Sequence, residues 1–76
     1  MVTAYIMVRV DAGKERNVVK KVRNLPEVKD ADIIYGEWDV VMKVNVKNVE
    51  EITAFVVDKL RKIKAVKLTS TMIVAD

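Results

Sequence analysis

From Val2 to Val10 the chain alternates without a break, with Val2, Ala4, Ile6, Val8 and Val10 on one side and Thr3, Tyr5, Met7 and Arg9 on the other. A period of two, rich in β-branched residues, specifies a strand with one apolar face. The period returns at Asp39–Val46, which sets Val40, Met42, Val44 and Val46 against Asp39, Val41, Lys43 and Asn45. It returns again at Val66–Val74, where Val66, Leu68, Ser70, Met72 and Val74 are expected on the apolar side and Lys67, Thr69, Thr71 and Ile73 opposite. A shorter strand is expected at Ala31–Tyr35. The Gly36-Glu37 turn then joins it to Asp39–Val46 as an antiparallel hairpin.

Two stretches between these strands change period. In Lys14–Asn24, Val18, Val19 and Val22 recur at helical spacing, Leu25 extends the stripe, and Pro26 ends it by disfavouring the α conformation just before it. Asn48, with Glu51 three residues on, has the form of a helix N-cap with a capping-box carboxylate. The helix it opens carries Val49, Ile52, Phe55, Val56, Leu60 and Ile63 on one stripe. Lys59, Arg61, Lys62 and Lys64 crowd its end, where cations suit the helix dipole. The order is strand, helix, strand, strand, helix, strand. The expected fold is therefore α+β: a ferredoxin-like βαββαβ, with a four-stranded antiparallel sheet and both helices on one face.

A chain of 76 residues holds a single domain, here residues 1–76, and a domain of that size is marginal alone. With no Cys there is no disulfide to support it, which leaves oligomerisation as the common remedy. The 51% hydrophobic content provides apolar surface for that purpose. The other face of the sheet has the material: Tyr5, Met7, Val41 and Ile73 are expected to form an apolar island with a polar border, through which two sheets would pair.

No His or Cys is present, so Ser-His and Cys-His catalytic arrangements cannot be built, and no soft metal site is expected. Gly13 and Gly36 lie too far apart for a phosphate-cradling loop. The expectation is therefore a chain that is not an enzyme and needs no cofactor or metal. The longest apolar runs are a few residues and there is no basic-then-apolar leader, which implies a cytoplasmic protein with no membrane contact. Gln and His are absent while Lys, Glu and Val abound, a composition resembling that of thermophile proteomes. The net charge of +3 is mild, with signs mixed along the chain.

Two segments carry candidate chemistry. Tyr35-Gly36-Glu37-Trp38-Asp39 sits at the hairpin tip and contains the only Trp; Gly36 permits both a positive φ and close approach of a ligand. Read alone, the same residues also describe a plain turn with an aromatic cover. Thr69-Ser70-Thr71 offers three consecutive hydroxyls. Alternation points Ser70 toward the apolar side unless a bulge turns it outward.

Tyr35-Gly36-Glu37-Trp38-Asp39-Val40 resembles the Gly-x-aromatic-Asp hairpin of the RAM domain, the effector-binding module of Lrp/AsnC transcription regulators. Ala4-Tyr5-Ile6-Met7-Val8, Gly13-Lys14-Glu15, Leu25-Pro26-Glu27-Val28, Ile63-Lys64-Ala65-Val66 and Thr69-Ser70-Thr71-Met72-Ile73-Val74 resemble the family's flanking segments in the same order, over essentially the whole chain. The resemblance implies sheet-paired homodimers assembled into rings such as octamers or decamers, with amino-acid effectors bound in clefts near the hairpin. By position it makes Tyr35, Gly36, Glu37, Trp38 and Asp39 ligand-binding residues, with Thr69, Ser70 and Thr71 as hydroxyl donors. Family members carry a helix-turn-helix ahead of this domain, whereas here Met1 opens directly onto the first strand. The expectation is no sequence-specific DNA binding by the chain itself, and a full-length Lrp/AsnC regulator as a second partner. Two other functions use the same topology. A nucleic-acid-binding module would need aromatics on the middle strands, where only Tyr5 stands. A small dimeric α+β barrel enzyme would need an acid–base group in a pocket, and no convincing candidate exists. ACT-type amino-acid sensors differ mainly in how subunits dock.

Overall fold

The computed structural model describes residues 1–75. It contains strand β1 (Val2–Val10), helix α1 (Glu15–Arg23), strands β2 (Val28–Ile33) and β3 (Val40–Val46), helix α2 (Val49–Phe55) continuing into a π-helical turn (Val56–Leu60), and strand β4 (Val66–Ile73). The sheet order is β2-β3-β1-β4 and every pairing is antiparallel, giving the ferredoxin-like βαββαβ. β1 and β3 lie at the centre and supply half of the buried core residues.

The alternation of β1 and β3 is realised in register: Ala4, Ile6 and Val8 oppose Val44, Met42 and Val40, and all six side chains are fully or almost fully buried under the helices. Val18 and Val22 of α1, with Ile52, Phe55 and Leu60 of the second helix, close the core, and among the described residues no polar or charged one is buried. Interdigitated β-branched and Leu side chains of this kind derive their stability from apolar area removed from water, about 25 cal/mol per Å2. α1 is tied to the sheet edge by Arg23, whose Nε and Nη2 both donate to the carbonyl of Ala31, at 3.1 and 2.7 Å. Asn48 caps α2 as expected, its Oδ1 accepting from the N–H of Glu51 at 3.0 Å. The Glu51 carboxylate reaches back one residue further than a standard capping box, accepting from the N–H of Lys47.

Three expectations need correction. β2 begins three residues earlier than expected, because Val28 pairs with Val44 across a bulge at Lys29. It also ends two residues earlier. Asp39 donates its N–H to the carbonyl of Val8, so the chain between Ile33 and Val40 swings toward β1 and forms a six-residue connection instead of a two-residue turn. The third correction reverses a face. In β4, Val66 opposes Val10 and Leu68 opposes Arg9, which leaves Lys67 bulged out of the ladder. One extra residue shifts the phase of everything after it. Thr69, Thr71 and Ile73, opposite Val8, Ile6 and Ala4, therefore turn toward the helices, and Leu68, Ser70 and Met72 turn to the open face. Ile73 is not on the open face, contrary to the expectation from the unbroken period. Ser70 is the residue that the bulge turns outward. Among the described residues no helix is long and apolar enough to cross a membrane.

Candidate functional site

The connection between β2 and β3 is shaped by one backbone and one side-chain hydrogen bond. The N–H of Ile34 donates to the carbonyl of Asp39 at 2.9 Å, and Arg9 Nε donates to the carbonyl of Glu37 at 2.7 Å. Gly36 has φ of +132°, a region where side chains with a Cβ are strained, and a Cβ built there would meet open space. Backbone conformation, not crowding, is what this position demands. Tyr35 is fully exposed, Glu37 is exposed and Trp38 is half-buried.

Asp39 does two things at once. Its Oδ2 accepts from the N–H of Val10 at 2.9 Å, satisfying the last donor of β1 as that strand leaves the sheet. Asp39 also borders a concavity of about 550 Å3 lined by Tyr35, Gly36 and Asp39 from the connection, Ile33 and Ile34 beside them, and Glu15 and Arg16 from the first turn of α1. Arg16 is exposed and forms no ion pair among the described residues. The residues that line the concavity thus include one arginine, the two acidic residues Asp39 and Glu15, and a glycine whose Cα is unhindered. That arrangement suits a small zwitterion, because a guanidinium holds a carboxylate in charge-assisted hydrogen bonds while carboxylates accept from an ammonium.

Of the hairpin residues expected at the site, Tyr35, Gly36 and Asp39 line this concavity, whereas Glu37 and Trp38 do not. Thr69 and Thr71 lie elsewhere, in a smaller groove of about 350 Å3 with Val49, Ile52, Val56 and Ile73 beside the second helix. Ser70 is on the opposite face, across from Met7. Within one chain β1 lies between β4, which carries the hydroxyls, and the β2–β3 hairpin. Arg16 and Glu15 escape sequence reasoning, since on the helix they read as ordinary solvated charges and only the docking of α1 against β2 brings them to the hairpin.

On the open face, Val41, Met7 and Ser70 form one cross-strand row, and Lys43, Tyr5 and Met72 form the next. Arg9 and Leu68 continue the surface, Asp30 and Asp32 of β2 border it beside Lys43 and Val41, and Thr3 donates to Asn45 Oδ1 at its margin. Leu68 is 58% and Met72 48% exposed, so the bulge enlarges the apolar island at the edge where Ile73 was expected.

Comparison with known proteins gives a consistent picture. Residues 3–76 match the family model described as the Lrp/AsnC ligand binding domain. An uncharacterised HTH-type transcriptional regulator of Pyrococcus abyssi is 40% identical over 77 residues, covering 97% of this chain and 51% of the relative. The chain spans about half the length of the curated relatives it matches. A hypothetical protein of Pyrococcus horikoshii, known from its crystal structure, superposes with a TM-score of 0.94 at 42% identity, over 100% of this chain and 92% of that one. A transcriptional regulator of Neisseria meningitidis, solved as a complex with L-Met, gives a TM-score of 0.88 at 25% identity, over 99% of this chain and 50% of that one.

Proposed function

This chain belongs to the Lrp/AsnC ligand-binding domain family, and from that membership we propose that it binds an amino acid at the β2–β3 connection and assembles through the open face of its sheet. The observation that carries the ligand reading is the presence of both signs of charge beside Gly36: Arg16, from the first turn of α1, and Asp39 line the same concavity. The guanidinium would take the effector carboxylate and Asp39 the ammonium, while the side chain of the effector would lie against Ile33, Ile34 and Tyr35. Support comes from the Neisseria regulator with L-Met, which shares this fold over half of its chain. The role is one of binding, without chemistry on the ligand.

Assembly follows from the apolar open face. Tyr5, Met7 and Val41, with Leu68 and Met72, would be covered by the sheet of a second copy, and such dimers would build the larger ring. A regulator of the family is the expected further partner, with this domain adding or withdrawing effector response.

The test is a thermal shift of the purified chain against the twenty amino acids, with light scattering on the same samples. A ligand at about 100 times its Kd adds about 2.7 kcal/mol of apparent stability. The expected result is a rise with one or a few amino acids that is lost in R16Q. No rise with any of them would overturn the amino-acid reading, and a monomeric mass throughout would overturn sheet pairing.

A further inference from the structure

A second concavity, of about 600 Å3, opens between the start of α1 and the connection from the second helix to β4. One wall is Lys14, Asn17 and Lys21, at helical spacing on one face of α1. The other is Lys62 and Lys64, held in place as the turn folds through Ile63 N–H to Leu60 O and as Ala65 accepts from the N–H of Asp11 at 2.8 Å. Two basic segments more than forty residues apart in sequence thus face each other.

None of the four lysines forms an ion pair among the described residues, and the one carboxylate present, Asp11, lies 3.4 Å from Lys67. Four uncompensated ammonium groups exceed the +3 net charge of the whole chain. A cleft lined by one sign of charge focuses its field on an anionic partner. Lys14 adds a second indication. It occupies the N-cap of α1, makes no side-chain capping bond, and places a cation where the helix dipole favours an anion. Helix stability does not account for a lysine there.

We infer that this lysine groove binds the phosphate backbone of duplex DNA without regard to sequence. The wall from Lys14 to Lys21 extends about 10 Å along α1, too long for one phosphate and suited to a run of them. Lysine is a point charge, matched to phosphates encountered in variable orientation, whereas planar carboxylates favour the arginine fork, which this groove lacks. No aromatic side chain lines it, so the unstacked bases of a single strand would find no platform. The groove is separate from the proposed effector concavity; the two share no residue.

The test is fluorescence anisotropy of a labelled mixed-sequence duplex with the 76-residue chain at low salt, repeated as salt is raised. The expected affinity falls steeply with salt, and the log–log slope becomes shallower by about 0.9 for each engaged lysine removed. The K14Q/K21Q/K62Q/K64Q variant is expected to weaken binding by at least about tenfold, while K29Q/K47Q, at the other end of the sheet, leaves it within about twofold. All four positions are exposed, and a circular dichroism melt confirms that the variant folds; K62Q/K64Q alone, outside the helices, provides the same reading at half the effect. Absence of binding at low salt, equal binding by parent and quadruple variant, tighter binding of single-stranded DNA, or displacement of the duplex by polyglutamate at equal charge would each overturn the proposal.

Discussion

Asp39 is the residue on which local structure and proposed function meet. Because its Oδ2 accepts from Val10 N–H, Asp39→Ala leaves a strand-end donor unsatisfied and is expected to cost about 1–2 kcal/mol as well as effector binding. Asp39→Asn keeps an acceptor and loses the charge, so thermal melts should recover most of the stability while titration with the effector still fails. Equal effector affinity in the Asn variant would remove Asp39 from the site. Glu27 is a second informative residue. Burial pushes its carboxyl up, but the 2.6 Å bond to Lys59, a local backbone bond and the Lys59 charge together hold it below its ordinary 4.5. A carboxylate lowered on folding stabilises above its unfolded pKa and loses that contribution as pH falls through the folded value. Acid titration of stability should therefore show a component below about pH 4.5 that is absent in Glu27→Gln. Neither role is visible in sequence, where Glu27 follows a helix-ending Pro and Asp39 opens a strand, because the partners of both lie on other elements.

At the scale of elements, β4 is the one whose meaning changed. Its alternation is real, but a period of two carries no mark of the single residue, Lys67, that leaves the ladder. The register makes a directional prediction. Leu68→Lys and Met72→Lys should lower the mass seen by light scattering while each protomer stays folded, and Ile73→Lys should lower thermal stability of the protomer without a primary effect on assembly. The opposite assignment would return the strand to an unbulged register. For α2, Asn48→Ala should cost about 1 kcal/mol by loss of the bond to Glu51 N–H, measured by denaturant melts. The cap was legible because it depends on residues three apart. The width of the β2–β3 connection is not legible for the contrary reason, since its shape is set by bonds from Asp39 N–H to the Val8 carbonyl and from Arg9 Nε to the Glu37 carbonyl.

For the molecule as a whole, 76 residues enclose one small apolar core and leave a broad face with Tyr5, Met7, Leu68 and Met72 outside it. If a second copy covers that face, the melting temperature should rise with protein concentration, and Tyr5→Lys should remove that dependence along with the assembly. A concentration-independent melt of the parent would contradict sheet pairing. The sequence by itself determined the order of elements, the apolar faces of β1, β3 and both helices, the α2 cap and the family, because each is written in residues a few positions apart or in an ordered series of local motifs. Only the tertiary structure decided the face of β4 after Lys67, the joining of Arg16 to the hairpin, the separation of Thr69 and Thr71 from it, and the convergence of Lys14 and Lys21 with Lys62 and Lys64. These depend on register and on docking between distant segments, which hydrogen bonds across the sheet and packing over the core fix, and which no local periodicity encodes.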